Sequence, residues 1–463
     1  MTLFGRSDKS AQGGRSRAVG RAVGVLVAAF FACVLTFSLL AVGAASIPRS
    51  AVDAGVRSSL AELSSEGQYY RLLPEDESWQ LDNYTTAIML NQASHSAANP
   101  VLTAAYNFQW HGTGDGDDQI SALSGGLSRP EGSMSAKGWI AYGRYWHGYL
   151  VFLKPLLVCF DLYRIRMILL VAFAALLGWS TVLLARSEGV AVGVLYLCAF
   201  AMANVVVGMF SLPFSPSFFV GLGATVFVQR HRSGRWDLCG DGSVVSWLAF
   251  YLVVGAITVF LDFLDTPIIT LGLPLCMQLY LCRGSITRKS VPRVLALVLG
   301  ASVCWAVGYV GLMLAKWVLS TLATGFDFVH DGLASAVYRS GSSAGAQHVG
   351  RLAAVRRNVG LLAHRWVAKA LALPVAATLV WAVASHRLAR LRGANWWFLV
   401  PLLVVAIYPY AWYVVAANHS YVHAFITYRD QVVALVAVAL AVGAALGRMA
   451  GEKPISSGSE PIS

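Results

Sequence analysis

The stretch AVGVLVAAFFACVLTFSLLAVGAAS, residues 22–46, runs into a polar segment, 46–147, that contains PEDESWQLDNYTTAIML (74–90) and GRYWHGY (143–149). The first is a continuous apolar run of about the 20 residues that carry an α-helix across the hydrocarbon core of a bilayer. AVGAAS at 41–46 has the small residues of a signal-peptide cleavage site, but the run is longer than a usual signal core and many more apolar segments follow it. It reads as a retained anchor. Beyond residue 147 the chain alternates hydrophobic segments with short connections. One anchor, one long polar segment and then span after span predict an all-α, polytopic integral membrane protein.

Composition agrees. Hydrophobic residues make up 57 % of the 463 and charged residues only 13 %, about half the charge of a soluble globular chain. In a soluble protein a net charge of +12 would suggest nucleic acid. In a chain of spans it is what retention of Lys and Arg on the cytoplasmic side produces, so no nucleic-acid partner is expected. None of the seven cysteines lies between 46 and 147. The long loop therefore has no disulfide staple and must fold by packing on the membrane domain.

Hydropathy places further spans at 165–185, 188–210, 214–230, 244–263, 267–282, 293–317, 369–386, 396–415 and 431–448, about ten with the anchor. Arginine clusters follow three of them: Arg230, Arg232 and Arg235; Arg283, Arg288 and Arg293 with Lys289; and Arg387, Arg390 and Arg392. A cytoplasmic amino terminus puts all three clusters, and the tail from Arg448, inside the cell. The expected organisation is a basic cytoplasmic tail (1–21), one transmembrane domain (22–448) and a disordered cytoplasmic tail (449–463). Loops 46–147, 318–368 and 416–430 then lie outside. The second of these carries Arg339, Arg351, Arg356, Arg357 and Arg365 against only Asp327 and Asp331. Either anionic lipid headgroups or a phosphate-bearing ligand would explain that excess.

Four acids, Glu75, Asp76, Glu77 and Asp82, precede the helix-like run TTAIMLNQA. Acids at a helix start cap it and oppose its dipole. One held at the membrane surface also serves as a general base or metal ligand. Asp82 comes first for that role and Glu77 second, with Trp79 and Tyr84 as aromatic company of the kind that sugars stack on. Arg144, Tyr145, Trp146 and His147 stand among further aromatics just before the membrane is re-entered. Such aromatics form interfacial belts, while Arg144 is suited to phosphate and His147 to acid–base work. FLDFLDTP sets Asp262 and Asp265 at a span end, where ionisable residues are paired or functional. His419 and His423 share a helix face, a zinc-compatible spacing with no third ligand in sight, and Arg429 opens the last span. Asp115, Asp117 and Asp118 lack the spacing of a calcium loop and read as a solvated turn. Asn83-Tyr84-Thr85 and Asn418-His419-Ser420 match glycosylation sequons. No nucleotide-binding loop, GxSxG or heptad pattern occurs.

DNYTTAIML, YGRYWHGYLVFLKPLL, FLDFLDTP and NHSYVHAFITYR resemble segments of poorly characterised bacterial polytopic membrane proteins. The layout is similar to the GT-C glycosyltransferase superfamily, whose long first external loop bears an acid. The resemblance implies transfer of a sugar from a polyprenyl-phosphate-linked donor to a cell-envelope glycan or glycolipid at the outer face of the cytoplasmic membrane. It casts Asp82, or Glu77 in its place, as the base. It leaves room for a divalent cation and requires no cofactor. Here the acids lie about thirty residues beyond the first span, rather than directly after it. On the expected reading Trp79, Tyr145 and Trp146 stack on sugar, and Arg144, Arg339 and Arg429 offset the leaving phosphate. Asp262, Asp265, His147, His419 and His423 complete the substrate site. The alternatives are a transporter or flippase of an envelope lipid or polysaccharide, and a scaffold for envelope assembly.

Overall fold

The structure is a computed structural model that describes residues 6–97, 99–112, 118–130, 137–231, 243–261, 265–341, 343–344, 347–365, 368–370, 372 and 395–450. The described residues are almost wholly helical, with only two pairs of two-residue strands. Among the described residues six helices are long and apolar enough to cross a membrane: within Val19–Ala45, Leu162–Glu188, Leu212–Arg230, Val244–Leu261, Val291–Thr324 and Ala424–Gly447. The chain is an all-α membrane protein.

The first helix, α1 (Arg6–Ala45), stands at the edge of the bundle with Phe31, Leu35 and Leu39 exposed, as suits a lipid-facing surface. It touches the rest through a narrow face where Phe37 stacks on Phe260 at 4.4 Å. The core of the bundle is built from α7 (Leu162–Glu188), α8 (Val190–Met202), α9 (Ser215–Arg230), α10 (Val244–Leu261), α11 (Ile268–Leu281) and α12 (Val291–Thr324). Glycines set its closest approach: Gly255 of α10 lies against the Trp305 carbonyl, and Gly308 of α12 lies against the Leu252 carbonyl. Small residues let two backbones meet at this distance in a membrane.

α12 has 34 residues, about 51 Å of helix against a hydrocarbon core of about 30 Å. Its last turns therefore stand in the polar layer. There Lys316 Nζ donates to the Ala104 carbonyl (2.5 Å) and Trp317 Nε1 to the Arg144 carbonyl (2.8 Å).

The long polar segment folds as a small helical unit on that end of the bundle. It holds α2 (Arg49–Glu66), α3 (Asn83–Ala93), α4 (Pro100–Tyr106) and α5 (Gln119–Leu127). A ladder of β1 (Gln109–Trp110) and β2 (Trp139–Ile140) ties its far part together. Val52, Val56 and Leu63, one stripe of α2, pack with Leu90 of α3, Leu123 of α5 and Leu153 of α6 (Leu150–Cys159) in a separate core. Gly55 lets α2 lie directly on the Leu157 carbonyl of α6. An ion network locks the unit to the bundle. Buried Arg166 of α7 donates to Glu62 (2.6 Å), Glu66 (2.9 Å) and Asn83 Oδ1 (2.8 Å).

The remaining elements are α13 (Phe328–Ser340), a hairpin of β3 (Ser343–Ala344) and β4 (Gln347–His348), α14 (Arg351–His364), α15 (Leu399–Ala406), α16 (Tyr408–Val415), α17 (Ala417–Val422), α18 (Ala424–Thr427) and α19 (Val432–Ala450). Several expected spans take a different form. The stretch 188–210 stops as a helix at Met202, after 13 residues, because Asn204 adopts a left-handed conformation (φ 53°). The stretch 396–415 is two short helices, and 267–282 is a 14-residue helix. α11 is buried on every side, a central helix with no lipid face. The expected span 369–386 lies almost entirely outside the described residues.

Candidate functional site

The three polar segments meet at the end of the bundle that carries the helical unit. Residues 142–149 form the floor. Gly148 fits directly against Phe260, where any Cβ would collide with its ring and carbonyl, and its N–H donates to that carbonyl at 2.8 Å. Trp146 Nε1 donates to the Leu312 carbonyl (2.8 Å), and its ring packs on Phe260. Trp146 is thus part of the core and presents no ring face to a sugar, contrary to the expected stacking role. His147 is also buried, in a left-handed backbone (φ 51°). Its Nε2–H donates to the Tyr142 carbonyl (2.9 Å), while Nδ1 lies 3.1 Å from the Tyr149 hydroxyl. Burial pushes this imidazole down to about 3. It is a neutral ring of fixed orientation that shapes the floor.

The cationic part rises from that floor. Arg144 covers the Tyr142 ring at 4.2 Å and pairs with Asp331 of α13 at 3.1 Å. Arg339, at the other end of α13, has Nη1 2.9 Å from His419 Nδ1 and its guanidinium 5.8 Å from the Tyr145 ring. Arginine only donates, so His419 accepts through Nδ1. Burial of the Tyr145 phenol would raise it, but the charges of Arg339 and Arg144 outweigh that and hold it below its ordinary value. Asp265 is buried, and its charge acts on Arg339. The rings of His419 and His423 are 4.7 Å apart, and burial, reinforced by Arg339, pushes His423 down to about 3. Arg144, Tyr145, Asp265, Arg339, His419 and His423 therefore belong to one cluster. Asp262 lies outside the described residues.

The acids stand apart from it. Asp82 is 2 % exposed and caps α3, its Oδ1 accepting from Thr85 N at 2.8 Å, while its own N–H donates to Ser211 Oγ. Burial raises the carboxyl to about 6, against the opposing hydrogen bonds from Thr85. Asp82 is thus the cap of α3, and burial gives its carboxyl the raised value that a general base near neutral pH needs. Glu77 is paired with Arg357 (2.7 Å), which covers Tyr421 at 4.9 Å. Half-buried Trp79 closes the turn that Asp76 caps. Arg429 is fully buried and donates to three carbonyls, Phe425 (2.6 Å), Ser78 (2.8 Å) and Asn204 (3.2 Å). Those bonds make Arg429 a clamp between the first and last polar segments, away from the arginines of the cationic cluster.

An aromatic line joins the two groups. Tyr84, two residues beyond Asp82, stacks with Tyr69 at 6.0 Å. Tyr69 meets Phe425 at 6.1 Å, and Phe425 meets His423 at 6.1 Å. Tyr69 is half exposed. Tyr69 and Phe425 are absent from the sequence reading, although YY at 69–70 before the acidic run is the sort of aromatic signal used for Trp79, and Asp331 enters it only as a counter-charge of its loop. Arg166, an arginine inside an apolar run, is a signal of a buried partner that also went unread.

Among the described residues no group of three His, Cys, Asp or Glu side chains could hold a metal ion. Asp118 caps α5, as a turn acid does; Asp115 and Asp117 lie outside the described residues. The sequon residues Asn83 and Asn418 are both buried, and Asn83 Nδ2 donates to Glu66 and the Gly67 carbonyl. Neither can be glycosylated in the folded chain. No family model, curated protein or solved structure matches this sequence.

Proposed function

We propose that the chain is a GT-C-type glycosyltransferase of a bacterial cytoplasmic membrane, with both termini inside the cell. It moves a sugar from a polyprenyl-phosphate-linked donor to a cell-envelope glycan or glycolipid at the outer face. The observation that carries this reading is the aromatic line Tyr84–Tyr69–Phe425–His423, with a carboxyl titrating near 6 at one end and the Arg339–His419 pair at the other. Aromatic faces hold sugar rings, and guanidinium groups hold phosphate.

In the reaction Asp82 takes the proton of the acceptor hydroxyl as that oxygen bonds to the anomeric carbon. The bond from that carbon to the donor phosphate oxygen breaks, and its electron pair leaves with the phosphate. Arg339 and Arg144, at the far end of the aromatic line from Asp82, draw the donor's charged phosphate into the site. His147 and Trp146 act as positioning residues beneath them.

A transporter would carry its ionisable groups near the bilayer midplane. Among the described residues the buried cations of the spans, Arg166, Lys316 and Arg429, bond instead to Glu62 and to the Ala104 and Ser78 carbonyls of the helical unit. This favours surface chemistry over transport.

The test is sugar analysis of envelope polymers and glycolipids by mass spectrometry, in cells lacking the protein and in cells supplied with wild type or Asp82→Asn. One sugar should vanish on deletion and return only with the wild type. Restoration by a normally expressed Asp82→Asn would remove Asp82 from the mechanism. An unchanged profile on deletion would end the transferase reading.

A further inference from the structure

A second polar site borders Trp146 and His147, with neither Arg144 nor Arg339 in its lining. It is a crevice between the last turn of α1 (Ala41, Ala45), the end of α3 (Gln92 and the following His95) and Lys154 of α6, with His147 at its back. Its enclosed room is about 20 Å³, enough for one water-sized group. Gln92 and His95 are 4 % and 6 % exposed, and Gln92 Nε2 and His95 Nε2 have no hydrogen-bond partner among the described residues. A buried donor without a partner costs about 1–3 kcal/mol, so an occupant is expected. Its sign follows from the surroundings. Lys154 lines the crevice while its Nζ also donates to the Ile47 carbonyl (2.7 Å), Arg49 acts electrostatically on His95, and Lys316 acts on His147. No described lining residue is acidic. The position follows from the rims. α1 exposes Leu39 and Leu40 directly before Ala41, and α6 exposes Phe152 near Lys154, so the mouth lies at the bilayer boundary.

We propose that this crevice binds a phosphate group, admitting one phosphoryl oxygen to Gln92 Nε2 and the Lys154 ammonium while the ester oxygens remain in the mouth. The site shares Trp146 and His147 with the floor beneath the Arg144–Arg339 cluster but includes neither arginine, and binding there does not depend on the transfer chemistry. The purified full chain in detergent is tested with three probes: dioleoylphosphatidylglycerol, dioleoylglycerol without phosphate, and inorganic phosphate. Native mass spectrometry reads lipid retention and thermal melting reads phosphate.

The wild type should retain the phospholipid and not the diacylglycerol if the source is a headgroup, or be stabilised by inorganic phosphate if it is a soluble anion. Gln92→Glu keeps the acceptor for the Tyr149 hydroxyl and turns the unpartnered donor into a negative oxygen. It should weaken binding by about ten-fold, the worth of one hydrogen bond to a charged group. Ala45→Leu, which narrows the mouth from the lipid-facing helix, should do the same and decides the matter if the Glu variant fails to fold. Equal retention of both lipids with no response to phosphate, or binding indifferent to both substitutions, would overturn the proposal and assign the crevice to a single water.

Discussion

Asp82→Asn removes a charge from a place where the fold disfavours it. The carboxyl is raised from its ordinary 3.8 to about 6, chiefly by burial. A raised carboxyl binds its proton more tightly in the folded chain than in the unfolded one, so folded stability falls as pH rises between those two values. The full difference corresponds to about 3 kcal/mol. Asparagine retains the Oδ1 acceptor for Thr85 N, so the cap, worth about 1 kcal/mol, survives. The variant should therefore exceed the wild type in stability by up to about 3 kcal/mol at pH 8, with the gap closing toward pH 4. Denaturation of both proteins in detergent at these two pH values measures it, and the transfer assay should show the Asn variant inactive. A stability difference that does not change with pH would refute the argument, since the carboxyl would then not be held away from its ordinary titration.

Other substitutions test other parts of the fold. Arg166→Ala leaves Glu62, Glu66 and Asn83 without their shared donor; a loss of about 3–5 kcal/mol is expected, and proteolysis should detach the helical unit first. Gly308→Ala pushes a methyl into the Leu252 carbonyl, so the melting temperature should fall by the equivalent of about 1–3 kcal/mol; Gly223→Ala, which meets nothing within 4 Å, is its neutral control. Arg339→Ala should lower the transfer rate far more than it lowers stability, because α13 exposes much of its surface; equal losses in both would make Arg339 structural. Trp146→Phe keeps the ring on Phe260 but drops the bond to Leu312, and the melting temperature should fall by the equivalent of about 1–2 kcal/mol.

Residues 22–46 can be read directly, because an uninterrupted apolar run of that length has few other uses. Hydropathy is equally high for α11, yet Ile268–Tyr280 meets only protein; an apolar side chain carries no mark of whether lipid or another helix will cover it. The end of α8 depends on the backbone of Asn204, and no pattern announces it. The stripe Val52, Val56 and Leu63 did hold a legible helical period within a segment treated as one loop. At the site, Asp82 before a helix-like run is visible, but its burial is a property of Ser211 and its surroundings. Arg339 and His419 are 80 residues apart, and only the folded bundle joins them. Trp146 and Tyr145 are adjacent and look alike, although one N–H belongs to the core and the other ring faces an arginine.

The clamp at Arg429 has a consequence for synthesis. Its bond to the Ser78 carbonyl spans 351 residues, so the turn at 76–79 cannot be locked until the last helix emerges. At about 5–20 residues per second, the helical unit waits on the order of tens of seconds in a half-closed form. The site is therefore completed last, and a chain truncated before residue 425 carries Asp82, Tyr69 and the cationic floor but lacks Phe425 and Arg429, which draw them together.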